Sequence, residues 1–154
     1  PRSTLSPYTT LFRSASGAVT VLPQGGDSGN MLVKSSSNDY DVEWLGVKTG
    51  TASAATGFTL NEVQVKQFGR MVMVKFYASK NSGTITANTA TNIASISGVS
   101  LPSTNMRFMA GCGDFAYSAN KGCYAILATN GNIDVNTSAN AKVVNFCLTY
   151  ILDS

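Results

Sequence analysis

The chain has 154 residues, 44% hydrophobic and only 12% charged, so it can fill one modest core while its surface relies on Asn, Ser, Thr and Gly. Eleven basic against eight acidic residues give a net charge of +3, too little for a basic patch that would argue for nucleic acid or an anionic membrane. The absence of histidine removes Ser-His and Cys-His nucleophile pairs and the commonest metal ligand.

No apolar run reaches the length of a membrane span, and no signal-peptide pattern is present, so membrane insertion is not expected. Cys112, Cys123 and Cys147 are odd in number and lack a Cys-x-x-Cys spacing, so neither a complete disulfide framework nor a zinc site follows. Reduced thiols in core or near-core positions are expected. No metal and no cofactor is expected either.

In chain order, Thr4 to Ser14 reads TLSPYTTLFRS, which resembles the frame translation of a short-read sequencing adapter; a genuine Ser/Thr-rich tail is the alternative. On the first reading residues 1–14 stand outside the fold as an artefact or a disordered leader. Without Arg2 and Arg13, nine basic residues remain against eight acidic, a net charge of +1.

Residues 15–57 read as an extended linker module, which the resemblance given below makes a fibre linker. Within them Gly25, Gly26 and Gly29 precede Met31-Leu32-Val33, Lys34, a polar turn from Ser35 to Asn38, and Asp39-Tyr40-Asp41-Val42-Glu43-Trp44. This pattern resembles a short linker module that recurs in tail fibres and baseplate appendages of tailed phages. That module usually has Gln and a second Lys where this chain has Asn30 and Ser35. The carboxylates of Asp39, Asp41 and Glu43 superficially suit glycosidase chemistry, but no pocket-forming element surrounds them. Tyr40 and Trp44 are better read as packing against neighbouring chains.

Residues 58–154 read as a run of strands. Glu62 to Lys66 alternates with Val63 and Val65 inward, and Phe68-Gly69-Arg70 makes a turn. Met71 to Tyr77 is apolar on both faces, Val72, Val74 and Phe76 against Met71, Met73 and Tyr77, as in a strand covered on both sides. Ile93 to Ile96 is a short strand; Leu101-Pro102-Ser103 breaks the run before Met106 to Met109. Cys123 to Ala128, a tight turn at Asn130-Gly131, and Ile133 and Val135 form a hairpin. Val144, Phe146, Leu148, Tyr150 and Leu152 make the closing apolar row, with Asn145 and Thr149 opposite. Roughly seven or eight such strands indicate an all-β, antiparallel, jelly-roll-like sandwich.

The blocks FGRMVMVKFYA, ANTATNIASISGVSLPS, MRFMAGCGDFAYSANKGCYAIL, TNGNIDV and VNFCLTYI, in this order, are similar to the C-terminal head domain of receptor-binding and tail-fibre proteins of phages and prophages of Gram-positive bacteria. The resemblance implies a homotrimeric β-sandwich at a fibre or baseplate tip, assembled in the bacterial cytoplasm. It would recognise a cell-surface glycan or teichoic polymer, with other tail or baseplate proteins as partners.

The first candidate site is the loop Gly111 to Gly122, where Asp114, Phe115, Tyr117, Asn120 and Lys121 combine aromatic faces for sugar rings with polar groups for hydroxyls. The alternative is a structural connection whose aromatics fill the sandwich or a trimer seam. Asn132, Asp134 and Asn136, outward at alternate positions, form a second candidate for hydroxyls or a hard cation, or else a plain solvated strand face. No carboxylate pair sits in an argued catalytic geometry, so a binding head, or a purely structural knob or collar, is expected rather than an enzyme.

Overall fold

The computed structural model describes residues 12–13, 19–20, 23, 26–28, 30–38, 41–115 and 121–153. The chain divides into two compact units, Pro1–Gly46 and Val47–Ser154.

In the first unit, β1 (Phe12–Arg13) pairs with β2 (Val19–Thr20), and β3 (Met31–Lys34) pairs antiparallel with β4 (Val42–Leu45). The polar stretch after Lys34 closes the second hairpin: the Ser35 N–H donates to the Asp41 carbonyl at 3.0 Å and the Ser35 hydroxyl to its carboxylate at 2.6 Å. The Trp44 indole N–H donates to the Pro23 carbonyl at 2.9 Å. Gly26, at φ +90°, lies so close under the indole that a Cβ there would sit 2.6 Å from the ring.

The second unit consists of β5 (Val47–Thr49), β6 (Thr51–Ala54), β7 (Phe58–Phe68), β8 (Met71–Lys80), β9 (Thr91–Ser97), β10 (Met106–Gly113), β11 (Lys121–Leu127), β12 (Asn132–Thr137) and β13 (Val143–Ile151). They form one nine-stranded sheet in the order β5-β7-β8-β13-β10-β11-β12-β9-β6, antiparallel at every pairing. The two end strands are consecutive in the chain, separated by Gly50 alone, so the ladder passes from β7 through this corner to β9 and closes. The corner requires glycine. The Gly50 N–H donates to the Val65 carbonyl at 2.9 Å, and a Cβ on Gly50 would lie 2.6 Å from both the Ser97 carbonyl oxygen and the Val65 side chain.

Alternation fills the interior. Strand β8 buries Val72, Val74, Phe76 and Ala78, β13 buries Val144, Phe146, Leu148 and Tyr150, and β12 buries Ile133 and Val135, all in one core cluster. Phe76 stacks on Phe146 at 5.1 Å between ring centres, and Phe108 meets Phe146 edge-on at 4.9 Å. Each such large side chain contributes about 1.5–3 kcal/mol by leaving water. The buried Gln67 is satisfied through the Gly69 carbonyl at 2.7 Å and the Ser100 N–H at 2.8 Å, and the Tyr150 hydroxyl through the Ser100 carbonyl at 2.8 Å.

The all-β antiparallel sandwich expected from the alternation is the fold observed, with several local differences. Val63 and Val65 both face the core as expected, Val65 buried and Val63 half-buried against it. The outer residues of β8 are not covered as an apolar strand would be: Met71 is 44% exposed, and Met73 and Tyr77 are half-buried. At Asn130-Gly131 only the glycine has positive φ, +87°; the Gly131 N–H donates to the Ala128 carbonyl and the Ala128 N–H to the Asn132 carbonyl, both at 2.9 Å. The turn is therefore an ordinary right-handed one followed by a glycine bulge. Strand β10 runs on to Gly113, because two glycines and a small thiol still fit the ladder, Gly111 opposite Gly122, Cys112 opposite Lys121 and Gly113 opposite Val143 of β13. Cys112 and Cys123 are buried free thiols, but Cys147 lies on the outer face of β13 and is exposed.

Candidate functional site

Gly111, Cys112, Gly113, Lys121 and Gly122 of the expected Gly111–Gly122 loop lie instead in β10 and β11. Lys121 is a strand residue opposite Cys112, on the row whose other members point inward. Its stem follows that row while its ammonium leaves the end of the core, the usual compromise for a long cationic side chain. There it forms an ion pair with Asp114 at 2.6 Å and donates to the Asn140 carbonyl. Two of the candidate residues, Asp114 and Lys121, thus form a clasp at the hairpin mouth. Phe115, next along, is 78% exposed. Tyr117 and Asn120 lie outside the described residues.

Asn132, Asp134 and Asn136 stand on the outer face of β12, each half-buried, as their alternation implied. The Asp134 carboxylate accepts from the Asn92 amide at 2.9 Å, and the Asn130 side-chain oxygen accepts from the Asn132 backbone N–H at 3.0 Å. Asn136 faces Tyr124 across the ladder. Among the described residues no group of three or more His, Cys, Asp or Glu side chains is placed to hold a metal ion.

A third region was missed in the sequence. The register aligns Glu62 of β7, Tyr77 of β8 and Asn145 of β13 across the outer face, and in the next row Lys75 lies opposite Cys147. Lys75 pairs with Glu62 at 2.8 Å, and these side chains line an open depression of about 440 Å³. Only strand pairing brings these residues together, so no local motif could have marked them.

In the acidic-aromatic group of the first unit, Asp41 and Glu43 are exposed, and the Asp41 carboxylate accepts from the Ser35 hydroxyl. Asp41 is held below the usual carboxylate range by hydrogen bonds from Ser35 and Ser36, which favours the ionised form. Trp44 is engaged with Pro23, and Asp39 and Tyr40 lie outside the described residues. Burial pushes the Cys123 thiol up to about 12 and raises Cys112 as well, so both are poor nucleophiles.

No family model matches the chain, and no curated protein matches it. Among solved structures it is similar to the distal domain of the mouse adenovirus 2 fibre, with a TM-score of 0.52 and 10% identity over 100% of this chain and 98% of that one. At this identity the likeness is one of fold.

Proposed function

We propose that the chain is the head of a viral attachment fibre, of the phage tail-fibre or baseplate type, and that it binds a saccharide on the host surface. The observation that carries this reading is the closed antiparallel head, whose fold is like that of a fibre's distal domain. The ordered sequence blocks from Phe68 to Ile151 and the linker pattern from Gly25 to Trp44 support it independently. The head is a virion component without enzymatic activity or cofactor. It contacts a glycan or teichoic polymer and other fibre or baseplate proteins, but neither nucleic acid nor a membrane interior.

The assembly proposed is a homotrimer. Met71 and Ile151, adjacent across β8 and β13, are 44% and 72% exposed, and Val47 beyond Phe68 is 39% exposed, an apolar row suited to a neighbouring copy. Light scattering at micromolar concentration is expected to give three times the chain mass; a clean monomer overturns the trimer.

For saccharide binding, purified protein is applied to an array of host cell-wall sugars. Retention is expected, and Phe115→Ala and Tyr117→Ala test the loop, since truncating the 78% exposed Phe115 leaves the core intact. A specific observation favours a second reading, a purely structural knob or collar: the two charged candidates, Asp114 and Lys121, are already paired with each other. A trimer that binds no surface sugar supports that reading.

A further inference from the structure

Arg107 and Tyr124 project outward from neighbouring strands, and the guanidinium carbon lies 4.7 Å from the centre of the Tyr124 ring. On the other side of β11, Tyr124 stands opposite Asn136 and Ile126 opposite Asp134. These positions form a strip across β10, β11 and β12. Its centre is the half-buried pair Tyr124 and Ile126, with exposed Arg107 opposite Ile126 and exposed Met109 opposite Tyr124 on the β10 flank, and an amide and a carboxylate on the other. Asp134 is engaged by Asn92, two strands away from Arg107, and no ion pair among the described residues involves Arg107.

A guanidinium held over an aromatic ring is partly immobilised before any ligand arrives, and its fork of N–H donors matches a carboxylate. An apolar centre with polar groups on both sides is the arrangement that grips a sugar ring by its C–H face and its hydroxyls. We propose that this strip binds a sugar bearing a single carboxylate, a uronic-acid unit of a surface polysaccharide. Arg107 takes the carboxylate, Tyr124 and Ile126 the apolar ring face, and Asn136 and Asp134 the hydroxyls. One cation matches one negative charge, and Asp134 on the same strip disfavours a doubly charged phosphate. The inference rests on the saccharide-binding reading and moves the contact from the loop to the sheet face.

The test titrates the full chain with an oligogalacturonide, its fully methyl-esterified counterpart and glucose 1-phosphate, read by saturation-transfer NMR. The acid is expected to bind about tenfold or more tightly than the ester, the range of a charge-assisted pair. Arg107→Gln should erase that difference, whereas Asn136→Ala should weaken acid and ester alike; melting curves of both variants establish that they fold. Equal binding of acid and ester, tighter binding of the phosphate, no binding of the acid, or acid binding untouched by Arg107→Gln overturns the inference. If the array still retains the protein, the attachment reading survives that failure; if the array fails as well, both fall.

Discussion

The β3–β4 hairpin and the nine-stranded sheet use the same antiparallel ladder, yet they are held by different forces. No residue of β3 or β4 is buried, and their ties are polar: Ser35 to Asp41, and the Trp44 indole to the Pro23 carbonyl. The sheet instead encloses one cluster of buried side chains from β7 to β13. An isolated two-stranded hairpin is marginal in water, whereas three or more strands over a shared apolar face are not. Backbone pairing thus sets the shape of both regions, and apolar burial sets the stability of only one.

The largest expected effect lies in the core. Phe76→Ala removes the ring stacked on Phe146 and should lower the sheet's unfolding free energy by about 3–5 kcal/mol in chemical denaturation. A loss below about 1 kcal/mol would mean that this stack is not where the stability resides. Next comes the corner: Gly50→Val drives a side chain into Ser97 and Val65 and should cost about 1–3 kcal/mol or more. Retention of the parent denaturation midpoint would show that the ladder does not close there.

Alkali should act on the sheet and spare the hairpin. Burial raises Cys123 from 9.0 to about 12 and Tyr150 from 10.0 to about 12. Both groups ionise more readily unfolded, so their contribution is complete below pH 9 and is lost as pH rises toward 12. The sheet's melting temperature should therefore hold steady from neutral pH to about 9 and fall beyond it. A flat profile to pH 11 would contradict the burial of these groups.

The smallest effect sharpens the contrast most directly. Trp44 is the single tryptophan, so its fluorescence reports the hairpin, while near-ultraviolet dichroism of the tyrosines and phenylalanines is dominated by the sheet. The fluorescence transition should come first on adding urea, and Trp44→Phe should move the sheet's transition by under about 0.5 kcal/mol. Coincident transitions would make the two regions one cooperative unit.

The long strands were legible because each buries one face: the alternation of Val72, Val74 and Phe76, and of Val144, Phe146, Leu148 and Tyr150, is the imprint of the core. Val47 to Ala54 carried no such imprint, since β5 is exposed throughout and β6 nearly so; these strands are held by main-chain pairing. The reach of β10 was hidden for a related reason, because Gly111 and Gly113 look like loop yet fit a ladder. Of the candidate sites, the outward row Asn132, Asp134 and Asn136 followed from period two. The Asp114–Lys121 clasp did not, because Lys121 occupies an inward row that a charged residue enters only at a strand end.

Closure at Gly50 also bears on how the sheet avoids pairing with its own copies. A sheet with open ends offers unpaired N–H and carbonyl groups to any neighbouring strand. Here the two end strands are short, three and four residues, and follow one another in the chain, which limits the edge open to a neighbouring strand. Strand β5 covers only Lys66 to Phe68 of β7, and the earlier part of that strand is guarded differently: the register shifts between Leu60 and Glu62, and Glu62 places a carboxylate beside the irregularity. A bulge and a charge on the part of β7 that β5 leaves uncovered disfavour pairing with a further strand.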